Sequence, residues 1–218
     1  MWRRNALSTV RLGNRLLPVS WKGVFSRYRL ALQLVLGLTL VGCMNMKSYV
    51  LPMLPRVTYG DLLTTRDPRP VVLTVEYQIN GVPEFRASAF LRERVSQILT
   101  AAHVFSSLRA GAAQGTDTLE IVLNNVGDVD TGSAVLTGLT FGAAGSRAMD
   151  GYVMTATFTR VGQPPVVKDY KHALVSTIGN AKGPEGLRAM GTTEEAVDQL
   201  LQDLLLNLIL DLQKAGAL

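Results

Sequence analysis

A thiolate, a pair of carboxylates or a free imidazole would each give this chain a way to do chemistry, and it is sparing with all three. It has one cysteine, Cys43, and two histidines, His103 and His172. A single Cys forms no internal disulfide, so the fold stands on packing and the sulfur is left for another purpose. As a thiolate it is a soft nucleophile, suited to accepting a carbon electrophile. Asp130 sits in the run Asp130-Thr131-Gly132-Ser133-Ala134. Catalysis by a shared proton needs a second carboxylate presented in the same way, and no other Asp-Thr-Gly occurs. Asp and Gly are ordinary turn residues, so this run reads first as a hairpin entry. His103 falls near the end of a helical segment, and His172 lies within a strand pattern beside Lys171. Neither has the spacing to Cys or carboxylates that a metal site or a triad requires. Gly142 to Gly145 is not followed by Lys-Ser or Lys-Thr, so it is no phosphate loop. The expectation is no enzyme, no metal and no cofactor.

What surrounds Cys43 is more informative. Residues 1–42 hold seven basic residues, Arg3, Arg4, Arg11, Arg15, Lys22, Arg27 and Arg29, and no acidic one. From Cys43 onward 15 basic residues face 17 acidic ones, so the basic pI belongs to the amino-terminal segment. The remainder has no nucleic-acid footprint. After Arg29 comes the uncharged run Leu30 to Gly42, 13 residues long and short of the roughly 20 that a spanning helix needs. It has the length of an export-signal core.

The run closes on Leu40-Val41-Gly42-Cys43, which resembles the lipobox of bacterial lipoproteins. The resemblance implies that a diacylglyceryl group is added to the Cys43 thiol. It further implies that a signal peptidase cuts between Gly42 and Cys43 and that the new amino group is acylated. Two or three acyl chains anchor a protein stably where one is marginal, at about 0.8 kcal/mol per buried CH₂. Met44 stands where an Asp retains enterobacterial lipoproteins in the inner membrane, so the resemblance favours the outer membrane, facing the periplasm. The basic segment of 29 residues is long; a start at Val24 would shorten it to Val24–Arg29 and leave the lipobox unchanged.

The elements that follow divide the chain into a signal peptide (1–42), a lipidated extended tether (43–70) and a domain (71–218). Pro52, Pro55, Pro68 and Pro70, with no sustained period, give the tether its extended character, although Tyr49, Val50, Leu51 and Leu54 could instead pack on the domain. Alternation predicts strands at Val71–Ile79, Thr118–Val126, Gly151–Val161 and Val166–Ile178, with a short one at Val104–Leu108. Helical stripes predict a first helix from about Phe85 to Ala102 carrying Leu91, Val95, Ile98 and Leu99, and a last one opened by Thr192 and Glu195 at capping-box spacing. That last helix carries Leu200, Leu201, Leu204, Leu205, Leu206, Leu208, Ile209, Leu210 and Leu212, more apolar surface than one sheet face covers. Either it lies in the middle of the domain or a partner covers part of it.

The fold class is α+β, a mainly antiparallel sheet of about five strands on two helices. Element order and signal together resemble the small periplasmic domains of envelope assembly lipoproteins, such as the amino-terminal domain of the Tol-system translocation protein. Three consecutive strands paired as a meander would bring the loops 127–150 and 179–191 to one end of the sheet and the Pro164-Pro165 turn to the other. Within the first loop, Thr131 to Ser146 carries no charge, and Leu136, Leu139 and Phe141 are its apolar anchors. They form either a hairpin tip folded over the core or a contact surface for membrane or partner. The expected function is a non-catalytic binding or assembly module, held to membrane lipid through acylated Cys43 and meeting an envelope protein partner. An auxiliary lipoprotein subunit of an envelope transporter is the alternative. A remote third is an aspartic-type hydrolase, since Asp130-Thr131-Gly132 resembles the active-site turn of that class.

Overall fold

The structure is a computed structural model that describes residues 46–111, 114–126 and 145–218. The chain divides into two compact units, Met1–Cys43 and Met44–Leu218, and the described residues all belong to the second.

Three of the alternating segments form the expected meander. β5 (Asp117–Asn125), β6 (Ser146–Thr159) and β7 (Val166–Ile178) pair antiparallel in sequence order. Register puts Leu119, Ile121 and Leu123 opposite Phe158, Ala156 and Met154, and all six are buried on one face. The other face carries Thr118, Glu120, Thr155, Thr157 and Thr159, residues suited to a pleated surface in water. β6 reaches back to Ser146, so its first residues extend past the end of β5 and pair with β7.

β2 (Arg69–Ile79) joins β5 in parallel through Val71 to Ile79. Asn80 and Gly81 then have φ of 50° and 80°, the left-handed pair a two-residue hairpin turn requires, and β3 (Val82–Pro83) folds back on Gln78 and Ile79. Helix α1 (Phe85–Ala101) follows, capped by the Glu84 carboxylate, which accepts from the Ala87 N–H at 2.8 Å. It buries Leu91, Val95, Ile98 and Leu99. The helix carries the chain over to β4 (Phe105–Arg109), which lies parallel to β2 as such a crossover demands.

Among the described residues the sheet thus has seven strands, the first of them β1 (Met46–Val50), in the order β1-β7-β6-β5-β2-β3, with β4 also on β2. The expected count of about five falls short because β3 has two residues and β1 lies in the segment read as tether. β1 pairs antiparallel with β7 from Met46 opposite Ile178 to Val50 opposite Leu174. Residues 46–70 are therefore part of the domain, and the domain does not start at 71. Tyr49 and Val57 are buried, and Val50, Leu54 and Leu62 pack against the core.

α2 (Thr193–Lys214) completes the core. Thr192 Oγ1 accepts from the Glu195 N–H at 3.0 Å, while Glu195 Oε2 accepts from the Gly191 N–H at 2.8 Å, one residue before the cap. Its leucines are buried nearly all the way round: Leu200, Leu204, Leu205, Leu206, Leu208 and Ile209 keep at most 2 % exposure. One side meets the sheet and α1. The other side is covered by the arm between β1 and β2. Asn207 Nδ2 donates to the Pro55 carbonyl at 2.9 Å, and the Gln213 side-chain amide both accepts from the Leu63 N–H (2.9 Å) and donates to its C=O (2.6 Å). Leu206 and Leu210 share the arc of α2 with Gln213 at helical spacing, so the arm covers the surplus apolar surface. No helix among the described residues is long and apolar enough to cross a membrane.

Candidate functional site

Most of the residues singled out in the sequence lie outside the described residues: Gly42, Cys43, the Asp130-Thr131-Gly132 turn, and the anchors Leu136, Leu139 and Phe141. The described structure fixes where their flanks sit. Cys43 precedes the start of β1 by three positions. The segment 127–144 leaves from the end of β5 and returns at Gly145, whose Cα faces the backbone of Ala181 so closely that a Cβ there would stand 2.5 Å from the Ala181 nitrogen. The loop after β7 therefore meets the start of β6, as the meander predicts. The Pro164-Pro165 turn links the other ends of β6 and β7.

The loop 179–191 wraps the edge of the sheet at β1. Gly183 lies against the Tyr49 ring, with no room for a Cβ, and Met190 bridges to Ser48, its N–H donating to the Ser48 carbonyl at 2.8 Å. Beneath it, buried Ser48 shares its hydroxyl with Thr193 at 3.2 Å and Ser176 at 3.5 Å.

On the outer face of the same end, register sets Lys47, Thr177 and Arg147 in one row across β1, β7 and β6, and Tyr49, Val175 and Met149 in the next. Lys47, Arg147 and Met149 (55 %) are exposed at the margins of these rows, Thr177, Val175 and Tyr49 between them are buried, and Met46, at the tip of β1, faces the other side. Strands stand about 4.8 Å apart, so the two cations are separated by about 10 Å of backbone. The acidic residues Glu76, Glu120 and Asp169 also lie on this face, Glu76 and Asp169 in one register row; Asp169 accepts from the Thr155 hydroxyl at 2.6 Å.

The two histidines are far apart in role. His103 ends α1 with φ of 53° and borders a shallow hollow of about 690 Å³ with Arg92, Glu93 and Gln97 on the exposed helix face. His172 is buried under α2, its Nδ1 accepting from the Ala173 N–H at 2.9 Å and its Nε2 standing 3.3 Å from Asp203 Oδ2. With Nδ1 accepting, the Nε2–H donates a hydrogen bond to Asp203, so both ring nitrogens have partners. Two residues along, the Tyr170 hydroxyl donates to Asp211 Oδ2 at 2.7 Å. Burial first, and then that carboxylate, push the Tyr170 hydroxyl far above the ordinary tyrosine range. Asp203, Asn207 and Asp211 recur every four residues and form a polar seam along α2, legible as a period yet not singled out from the sequence. Among the described residues no group of three or more His, Cys, Asp or Glu is gathered to hold a metal.

Asp117 is another buried carboxylate, at 4 % exposure. It accepts from the Val161 N–H at 2.9 Å and pairs with Arg69 at 3.8 Å, which ties the starts of β2 and β5 to the end of β6. Beside it, Arg66, Asp67, Arg160 and Gln213 border a cleft of about 340 Å³. Its charges are mixed.

No family model matches the chain, and no curated protein sequence does either. Among solved structures, a PelC dodecamer from Paraburkholderia phytofirmans aligns at 11% identity and a TM-score of 0.34, covering 74% of this chain and 96% of that one. A minor lipoprotein from Acinetobacter baumannii aligns at 10% identity and a TM-score of 0.34, covering 68% of this chain and 92% of that one. At values this low, shared outline says nothing about shared function.

Proposed function

We propose that the chain is made as a lipoprotein precursor, that Cys43 is its lipidated residue, and that the domain from Met46 onward is a non-catalytic binding or assembly module on the periplasmic face of the outer membrane. The observation that carries the reading is the coincidence of two boundaries. The lipobox ends at Cys43, and the compact unit begins at Met44, with β1 following at Met46. An export signal is discarded, so nothing upstream of the cut belongs to the mature fold. The thiol is the acceptor for a thioether, and Met44 at the next position favours the outer membrane. A non-catalytic role is supported by the way the chemistry-bearing groups are used: both His172 nitrogens are engaged, Asp117 and Asp211 hold neighbouring elements, and the clefts present mixed charge.

The test is metabolic labelling with palmitate, followed by membrane fractionation. The wild-type protein takes up label and sediments with outer membranes, while Cys43→Ala takes up none and accumulates uncut. Equal labelling of the two proteins would overturn the reading.

A further inference from the structure

We infer that the cleft between the arm, the end of β6 and the end of α2 is a binding site for a short peptide or amino acid with both termini free, its carboxylate pairing with Arg66 and Arg160 and its ammonium with Asp67. The inference rests on the binding-module half of the proposed function and gives that module a ligand class. The cleft holds about 340 Å³, which places it among pockets of the size that take small ligands. Its walls are fixed from within the fold. Gln213 of α2 holds the arm by both backbone groups of Leu63, and Asp117, buried at 4 % exposure, accepts from the Val161 N–H next to Arg160. Walls already in place do not have to be ordered by the ligand.

The charges around the cleft are not all matched by one another. Asp117 and Arg69 line the deeper recess beside it and pair at 3.8 Å, so they offset each other. Arg66, Arg160 and Asp67 are left over, and among the described residues none of the three has an ion-pair partner. Arg160 lies two residues after buried Phe158, at the margin of the core, and is half-buried, whereas Arg66 and Asp67 are exposed. A partly desolvated guanidinium without an internal carboxylate favours an external one, which its planar fork takes bidentately. A simple anion would also meet Asp67, and a simple cation would meet both arginines. A zwitterion satisfies both signs, with its carboxylate on the arginine pair. Thr64 and Thr65 add hydroxyls to the lining, and Leu63, at 57 % exposure, offers apolar surface to a small side chain. Ion pairs at an exposed rim are weak in water, so the expected affinity is modest and depends on several contacts made together.

The test is calorimetric titration of the full-length protein, extracted in detergent from its native membranes, with trialanine, N-acetyl-trialanine and trialanine amide. Trialanine is expected to bind and to raise the melting temperature. Removing either terminal charge should weaken binding several-fold. In Arg160→Gln the free acid and the amide should then bind alike, and in Asp67→Asn the free amine and its acetylated form should bind alike. Melting curves without peptide show whether each variant is folded; if Arg160→Gln is not, Arg66→Gln at its exposed position carries the same comparison. N-acetyl-trialanine binding as tightly as trialanine marks a plain anion site and overturns the zwitterion assignment. Neither heat nor a melting shift with trialanine at millimolar concentration overturns the site. Palmitate labelling of the same preparations keeps the two claims apart. Labelled protein that ignores the peptides overturns the cleft and leaves the lipoprotein reading standing, while unlabelled protein that discriminates among them upholds the cleft and overturns the lipidation.

Discussion

The arm between β1 and β2 and the carboxy-terminal helix α2 touch along their length, yet they are built in opposite ways. α2 announces itself: a capping residue at Thr192, Glu195 three residues on, and leucines at helical spacing for 22 residues. The arm, from Leu51 to Pro68, has prolines, one short 3₁₀ turn at Tyr59–Asp61 and no period. Its shape is imposed from outside, by the side-chain amides of Asn207 and Gln213 on its backbone and by β1 in the sheet. An apolar helix with surplus surface and a backbone with unpaired groups solve each other's problem. The consequence for the proposed lipidation is one of distance: the arm is docked on the domain, and Cys43 stands three positions before β1.

Substitutions separate the two halves of that contact. The largest effect belongs to the core side of α2. Leu204 is fully buried, so Leu204→Ala is expected to cost about 2 to 5 kcal/mol and to lower the melting temperature clearly. Gln202→Ala, on the same helix at an intermediate position, should leave it nearly unchanged. Similar small shifts for both would mean that the stripe is misassigned. The arm side comes next. Asn207→Ala leaves the Pro55 carbonyl without its side-chain donor, a loss of about 1 to 3 kcal/mol. Hydrogen exchange should speed up in residues 56–63 more than in β5 or β6. Uniform change across the domain would show that arm and helix do not form a local pair.

Thr192→Ala removes the cap and is expected to cost about 1 kcal/mol, read as faster exchange at Glu195 without change in the arm. The smallest effect is on pH. Tyr170 and Tyr152 both have hydroxyls pushed well above the ordinary tyrosine value, each mainly by burial. A group whose acid form is favoured in the folded state stabilises below its unfolded pKa of about 10 and loses that contribution as pH rises beyond it. Thermal melts from pH 9 to 11 should therefore show a steeper loss for wild type than for Tyr170→Phe. Identical slopes would remove Tyr170 from the explanation.

How much was legible follows from the same contrast. The meander, α1 and α2 are each encoded within a stretch of neighbours, as alternation or a stripe, and the structure has them where those signals stand. β1 escaped because Ser48 and Tyr49 are adjacent and both buried, one beneath α2 and the other under the loop at Gly183, which removes the alternation that marks a half-buried strand. The row of Lys47 and Arg147 was invisible for a different reason. It exists only through the register of both strands on β7, and residues 100 positions apart carry no local sign of it. The seam of Asp203, Asn207 and Asp211 was written in the sequence as a four-residue period, but its partners Tyr170 and His172 come from another element.

The most direct test of the account is the mass of the amino-terminal peptide from protein extracted from its native membranes and digested. A peptide that begins at Cys43 and carries a diacylglyceryl group is the predicted result, with an acylated amino group where the host adds one. An unmodified Cys43 inside a peptide that continues upstream into Val41 and Leu40 would contradict it.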